Sequence, residues 1–101
     1  MTFKERIQKS TEGAAVKSGF TYLTVVDEKE EKVIDVIILK PDEPLEKAQM
    51  IFQLLEIMVK VGFNKAVYIS AGKIRTEILS VSETLYGLGI ETYLNGVSVT
   101  D

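Results

Sequence analysis

With 101 residues, 46% of them hydrophobic and 27% charged, the chain has the makings of one globular domain and not of a disordered or low-complexity segment. It contains no cysteine and no histidine. That excludes disulfides, thiolate metal centres, thiol catalysis and histidine-dependent hydrolysis. The net charge of −3 supplies no overall field toward nucleic acid or anionic lipid.

The opening Met1-Thr2-Phe3-Lys4-Glu5-Arg6 lacks an apolar leader core, so a cytoplasmic protein is expected. Leu45 to Val61 is the most apolar stretch, but Glu46, Lys47, Glu56 and Lys60 interrupt it, which argues against a membrane span. Side-chain amides are scarce beside Lys, Glu and Ile, a balance common in thermophiles.

Residues 2–18 read as an amphipathic helix with Phe3, Ile7, Thr11 and Ala14 on one stripe and Gly19 at its end. Two β-rich runs follow, Phe20 to Val26 and Val33 to Leu39, joined by the charged loop Asp27 to Lys32. The second run is almost continuously apolar, which predicts a strand covered on both faces. Asp42 is placed to cap the next helix and Pro44 to sit in its first turn.

The helix 45–61 carries two apolar stripes. Ala48, Ile51, Phe52, Leu55, Met58 and Val59 form one, expected to face the sheet, and Met50, Leu54, Ile57 and Val61 form the other. One sheet covers one stripe, so the second predicts a homodimer interface.

Lys65 to Ser70 reads as the third strand and residues 73–88 as the third helix, with Ile74, Ile78, Val81, Leu85 and Leu88 in phase. Ile90 to Leu94 and Val97 to Val99 then form a hairpin across Asn95-Gly96, a type I′ turn signal. The expected fold is α/β (α+β), a single small two-layer sandwich in the order α-β-β-α-β-α-β-β.

Few residues are placed to carry chemistry. Ser70-Ala71-Gly72-Lys73 matches the S-x-x-K of serine acyl-enzymes, yet the companion motifs are missing and the chain is too short for that fold. Gly72-Lys73 is followed by Ile74 where a phosphate loop needs Ser or Thr. Asp27, Glu28, Glu30 and Glu31 alternate with lysines as a solvated turn does, so no metal or cofactor is expected.

One contrast stands out. The strands 33–39 and 65–70 are expected to run parallel, which brings both following helix starts to one edge. The first start carries Asp42, Glu43 and Glu46, as the helix dipole favours, while the second carries Lys73 and Arg75 against it. Lys40, Ser70, Gly72, Lys73 and Arg75 therefore form a candidate anion or nucleic-acid site. The alternative is that Lys73 pairs with Glu77 one turn on and nothing binds.

Ala66-Val67-Tyr68-Ile69-Ser70-Ala71-Gly72-Lys73-Ile74-Arg75, followed by Ile78, Leu79 and Val81, forms a strand, a glycine turn and an aliphatic helix. From Ile34 to Val99 the sequence resembles the Alba superfamily of archaeal chromatin and RNA-binding proteins, and the related stage V sporulation protein S family. The resemblance implies an Alba-like β-α-β-α-β-β unit over 33–101, with 1–32 an added helix and strand, in a non-enzymatic homodimer that binds RNA or DNA. Lys40-Pro41 is similar to the Lys-Pro that opens the first Alba helix, whereas the hairpin lacks long basic arms and no Lys or Arg follows Arg75. Two other functions fit the residues: an acidic dimeric module that binds a protein partner, and a small phosphate binder.

Overall fold

A computed structural model describes residues 1–40, 47–62 and 65–99, apart from the side chains of 47, 48 and 50–52. Three helices and five strands follow in the expected order: α1 (Phe3–Ser18), β1 (Thr21–Asp27), β2 (Lys32–Leu39), α2 (Lys47–Val61), β3 (Ala66–Ala71), α3 (Thr76–Gly87), β4 (Glu91–Leu94) and β5 (Val97–Ser98). Asp42, Glu43, Pro44 and Glu46, expected to open the helix before α2's first described turn, lie outside the described residues.

The strands form one mixed sheet in the order β2-β1-β3-β4-β5. Only β3 and β4 pair in parallel, with α3 as their crossover; the remaining pairs are antiparallel. β2 and β3 run in the same direction, as expected, but β1 lies between them and hydrogen-bonds to both.

Local chemistry explains both ends of α1 and the turn between β4 and β5. Thr2 caps α1 by accepting the Glu5 N–H at 3.2 Å. Gly19 ends it in the left-handed region at φ 75°, donating its N–H to Ala15 at 2.7 Å. Asn95 (φ 47°) and Gly96 (φ 83°) both adopt the positive φ of a type I′ turn. The β4–β5 hairpin then pairs Tyr93 with Ser98 and Leu94 with Val97.

α2 and α3 stack on one sheet face as a two-layer body, and α1 lies against the other face. Strand alternation divides the core accordingly. Leu23, Val25, Val67 and Ile69 point under α2 and α3, where they meet Leu54, Met58, Ile78, Val81 and Leu85. Val26, Ala66, Tyr68 and Tyr93 point the other way, beneath Phe3 and Ile7. All six residues of β3 are buried.

Two expectations about burial fail for the same reason. β2 is not covered on both faces: it is the sheet's edge, and Val33, Val36 and Ile38 are exposed. Leu54, expected on the outward stripe of α2, is 0% exposed, whereas Val59, expected to face the sheet, is 76% exposed. A run or helix apolar all round gives no phase, so the sheet decides which side is inside. Ile57 is half-buried against the core and Val61 is exposed, while the Met50 side chain lies outside the described residues.

Candidate anion-binding edge

Thr21 is in register with both Leu39 and Ala71, so the end of β2, the start of β1 and the end of β3 lie in one row. Lys40 leaves this row on one side and the turn Gly72-Lys73 on the other. Two strand spacings separate them, roughly 10 Å. Lys40 and Lys73 are exposed, and Arg75 is half-buried.

Gly72 has a packing reason to be glycine. A Cβ there would lie 3.1 Å from the Ala15 carbonyl oxygen and 3.4 Å from Gly19 Cα. The turn is thus pressed against the C-terminal end of α1, whose last turn carries Lys17. That lysine complements the helix's own negative end, and the contact brings its helical turn beside the same edge. Sequence reading missed it, because only the tertiary contact between residues 15–19 and Gly72 brings it there.

Ser70 belongs elsewhere. It is 3% exposed and its hydroxyl lies 2.8 Å from that of Thr11, on the α1 side of the sheet. Its polar group is spent on docking α1, so it is removed from the candidate site. The helix start is corrected as well. α3 begins at Thr76, with Arg75 as N-cap and Glu77 in the first turn. Lys73 precedes the helix and Glu77 in the first turn is the charge its dipole favours, so of the two cations only Arg75, at the N-cap, remains set against the dipole. Among the described residues no ion pair joins Lys73 to Glu77.

Asn95 secures the neighbouring structure. Its side chain accepts the Ala71 N–H at 2.8 Å and donates to the Ala71 carbonyl at 3.1 Å. This bidentate bond fixes the C-terminal hairpin to the strand end from which the basic turn departs.

The opposite end of the sheet is also charged, and several of its groups pair within the chain. Lys65 pairs with Asp27 in a buried bridge, and Asp27 also accepts the Lys29 and Glu30 N–H groups. The Lys65 hydrogen bond foremost holds the Asp27 carboxyl below its ordinary pKa, outweighing desolvation. Tyr68 and Tyr93 stack with centroids 4.8 Å apart, and Lys4 lies 3.8 Å from the Tyr93 centroid. Tyr68 donates to Glu28 and Tyr93 to Glu91. Burial first, and then these carboxylates, push both phenols well above their ordinary pKa.

Among the described residues no cluster of acidic side chains is arranged to hold a metal ion, and no helix is long and apolar enough to cross a membrane. No family model, curated protein or solved structure matches this chain.

Proposed function

We propose that the chain is a non-enzymatic, Alba-like homodimeric protein that binds RNA or DNA phosphates along the edge holding Lys17, Lys40, Lys73 and Arg75. The observation that supports this reading is the packing of Gly72 against the end of α1, which brings the helical turn of Lys17 beside the strand ends that lead to Lys40 and Lys73. The chain's overall charge is −3. A basic edge on an acidic protein orients a polyanion toward that edge and away from the rest of the surface. Phosphate contact of this kind is insensitive to sequence and weakens with salt.

A titration of single-stranded RNA and duplex DNA against salt concentration tests it. Changing Lys17 and Lys73 together to Ala is expected to weaken binding for every sequence and to lower the salt slope by roughly one per lost contact. Changing Lys29 and Lys32, in the opposite charged loop, is expected to leave binding intact. Absence of salt-dependent binding to either polymer overturns the reading, and binding of inorganic phosphate alone replaces it with the small-anion function.

A second reading, a protein-interaction module, draws on exposed apolar side chains of α2 and the C-terminal hairpin. Val59 is 76% exposed and Val97 69%.

A further inference from the structure

We infer that the outer edge of β2 is a strand-pairing surface for β2 of a second copy of this chain, and that Asp35 keeps it closed. The inference is independent of the nucleic-acid reading and of the dimer proposed with it. Among the described residues β2 is an end strand of the sheet and pairs only with β1. The backbone donors and acceptors on its other side form a template for an added strand. Val36 and Ile38 stand opposite Thr24 and Tyr22, and Val33 opposite Val26, on the sheet face that carries α1. α1 does not shield them: Val33 is 43% exposed, Val36 40% and Ile38 52%. An open backbone and a bare apolar row thus run along one strand.

The strand's own chemistry identifies both the occupant and the guard. From Val25↔Asp35 to Thr21↔Leu39 the register with β1 is regular, while the shift between Val25 and Val26 leaves Ile34 as a bulge just before it. A second β2 laid antiparallel on the regular stretch sets its own bare row beside the first, and the two rows cover each other. Asp35 stands in the way. It is exposed, and its carboxylate accepts the Val36 N–H at 2.8 Å. An N–H turned to this carboxylate is not directed into the β1 ladder; it faces the open side, where an added strand needs it. Asp35 also lines a cleft with Glu56 and Lys60 of α2, and Lys60 already pairs with Glu56 at 3.5 Å. Among the described residues no ion pair engages Asp35. An identical strand therefore brings a second uncompensated carboxylate to the same edge, and like charges across strands oppose pairing. Asp35 both occupies the donor and repels its own image, while the bulge beside it twists the edge away.

Light scattering at micromolar concentration reads the mass, far-UV circular dichroism the fold, and hydrogen exchange the β2 amides. Asp35→Val, a β-former without charge, is expected to raise the mean mass above the parent's by roughly twofold or more, as strand addition does, and to protect the amides of Val36 and Ile38. Where Asp35→Val does not fold, Asp35→Thr carries the same expectation. Adding Ile38→Lys sets like charges where the two rows meet and is expected to restore the parent's mass. Glu30→Val removes a carboxylate from the neighbouring loop and is expected to change nothing. A folded Asp35→Val chain at the parent's mass overturns the inference. Equal growth in Glu30→Val assigns the effect to net charge and overturns it too, as does growth that Ile38→Lys leaves untouched, which belongs to another surface. Protection of the Val36 and Ile38 amides that rises with concentration in the parent overturns the closed edge.

Discussion

On the sheet face beneath α2 and α3, Leu23, Val25, Leu54, Met58, Val67, Ile69, Ile78 and Leu85 pack aliphatic against aliphatic. On the face beneath α1, a tyrosine pair, Val26 and Ala66 pack against Phe3 and Ile7, and polar contacts add to that small apolar patch. Thr11 meets Ser70, Tyr68 and Tyr93 reach carboxylates, and Lys4 covers the outer ring. Aliphatic burial is strong and indifferent to direction and pH. Hydrogen bonds and stacked rings contribute less but fix position, and their groups titrate. The first face therefore stores stability, while the second sets where α1 sits and over which pH range it stays.

The largest effect that sharpens this contrast is Leu54→Ala. Leu54 is 0% exposed, and its truncation is expected to cost about 2–5 kcal/mol in urea unfolding. Phe3→Ala, at the half-buried start of α1, is expected to cost clearly less; an equal cost breaks the comparison. Next is Gly72→Val, which forces a side chain toward the Ala15 carbonyl. A loss of about 1–3 kcal/mol is expected, as for overpacking elsewhere. Hydrogen exchange is expected to locate that loss in α1 and not in α2 or α3.

Smaller effects appear only with pH. Both phenols have folded pKa values raised above the ordinary 10.0. Their contribution is complete below that value and is lost as pH rises beyond it, because the unfolded chain releases the protons first. Tyr68→Phe is expected to cost about 1 kcal/mol at neutral pH and to make alkaline unfolding less steep. Asp27 has the opposite sign. Its folded pKa lies below the ordinary 3.8, so its contribution is present above that value and is lost as pH falls through the folded one. Asp27→Asn is expected to flatten the acid limb of a stability–pH profile. A profile unchanged in both variants places the pH dependence outside the α1 face and the Asp27–Lys65 bridge.

Element order was readable because several elements carry their own punctuation: Gly19 after α1, Asn95-Gly96 in the hairpin, and the clean spacing of Ile78, Val81 and Leu85 in α3. The phase of α2 was not readable. Its apolar residues surround the helix, and only the sheet distinguishes Leu54 from Val59. The coverage of β2 failed likewise, since an apolar run does not say whether a strand is central or at an edge. In the candidate site, Lys40 and Lys73 follow from strand direction alone. Ser70 was misplaced because a hydroxyl at a strand end gives no sign of which face it takes, and Thr11 settles that from fifty-nine residues away. Lys17 was invisible for the same reason. Its position depends on a helix packing against a turn distant in sequence.

The insertion of β1 between β2 and β3 has a kinetic consequence. The β1–β2 hairpin closes locally, but the central ladder from Thr21↔Ala71 to Val26↔Ala66 joins positions about forty to fifty residues apart. Those rungs cannot form until α2 and its flanking segments have been gathered into a closed loop, and the entropy of that closure precedes any reward from pairing. The meeting of β1 with β3 is therefore expected to limit refolding. Truncations at Val25 or Val67 are expected to slow folding itself in stopped-flow refolding, whereas weakening β2's outer edge or the β5 tip is expected to show mainly as faster unfolding.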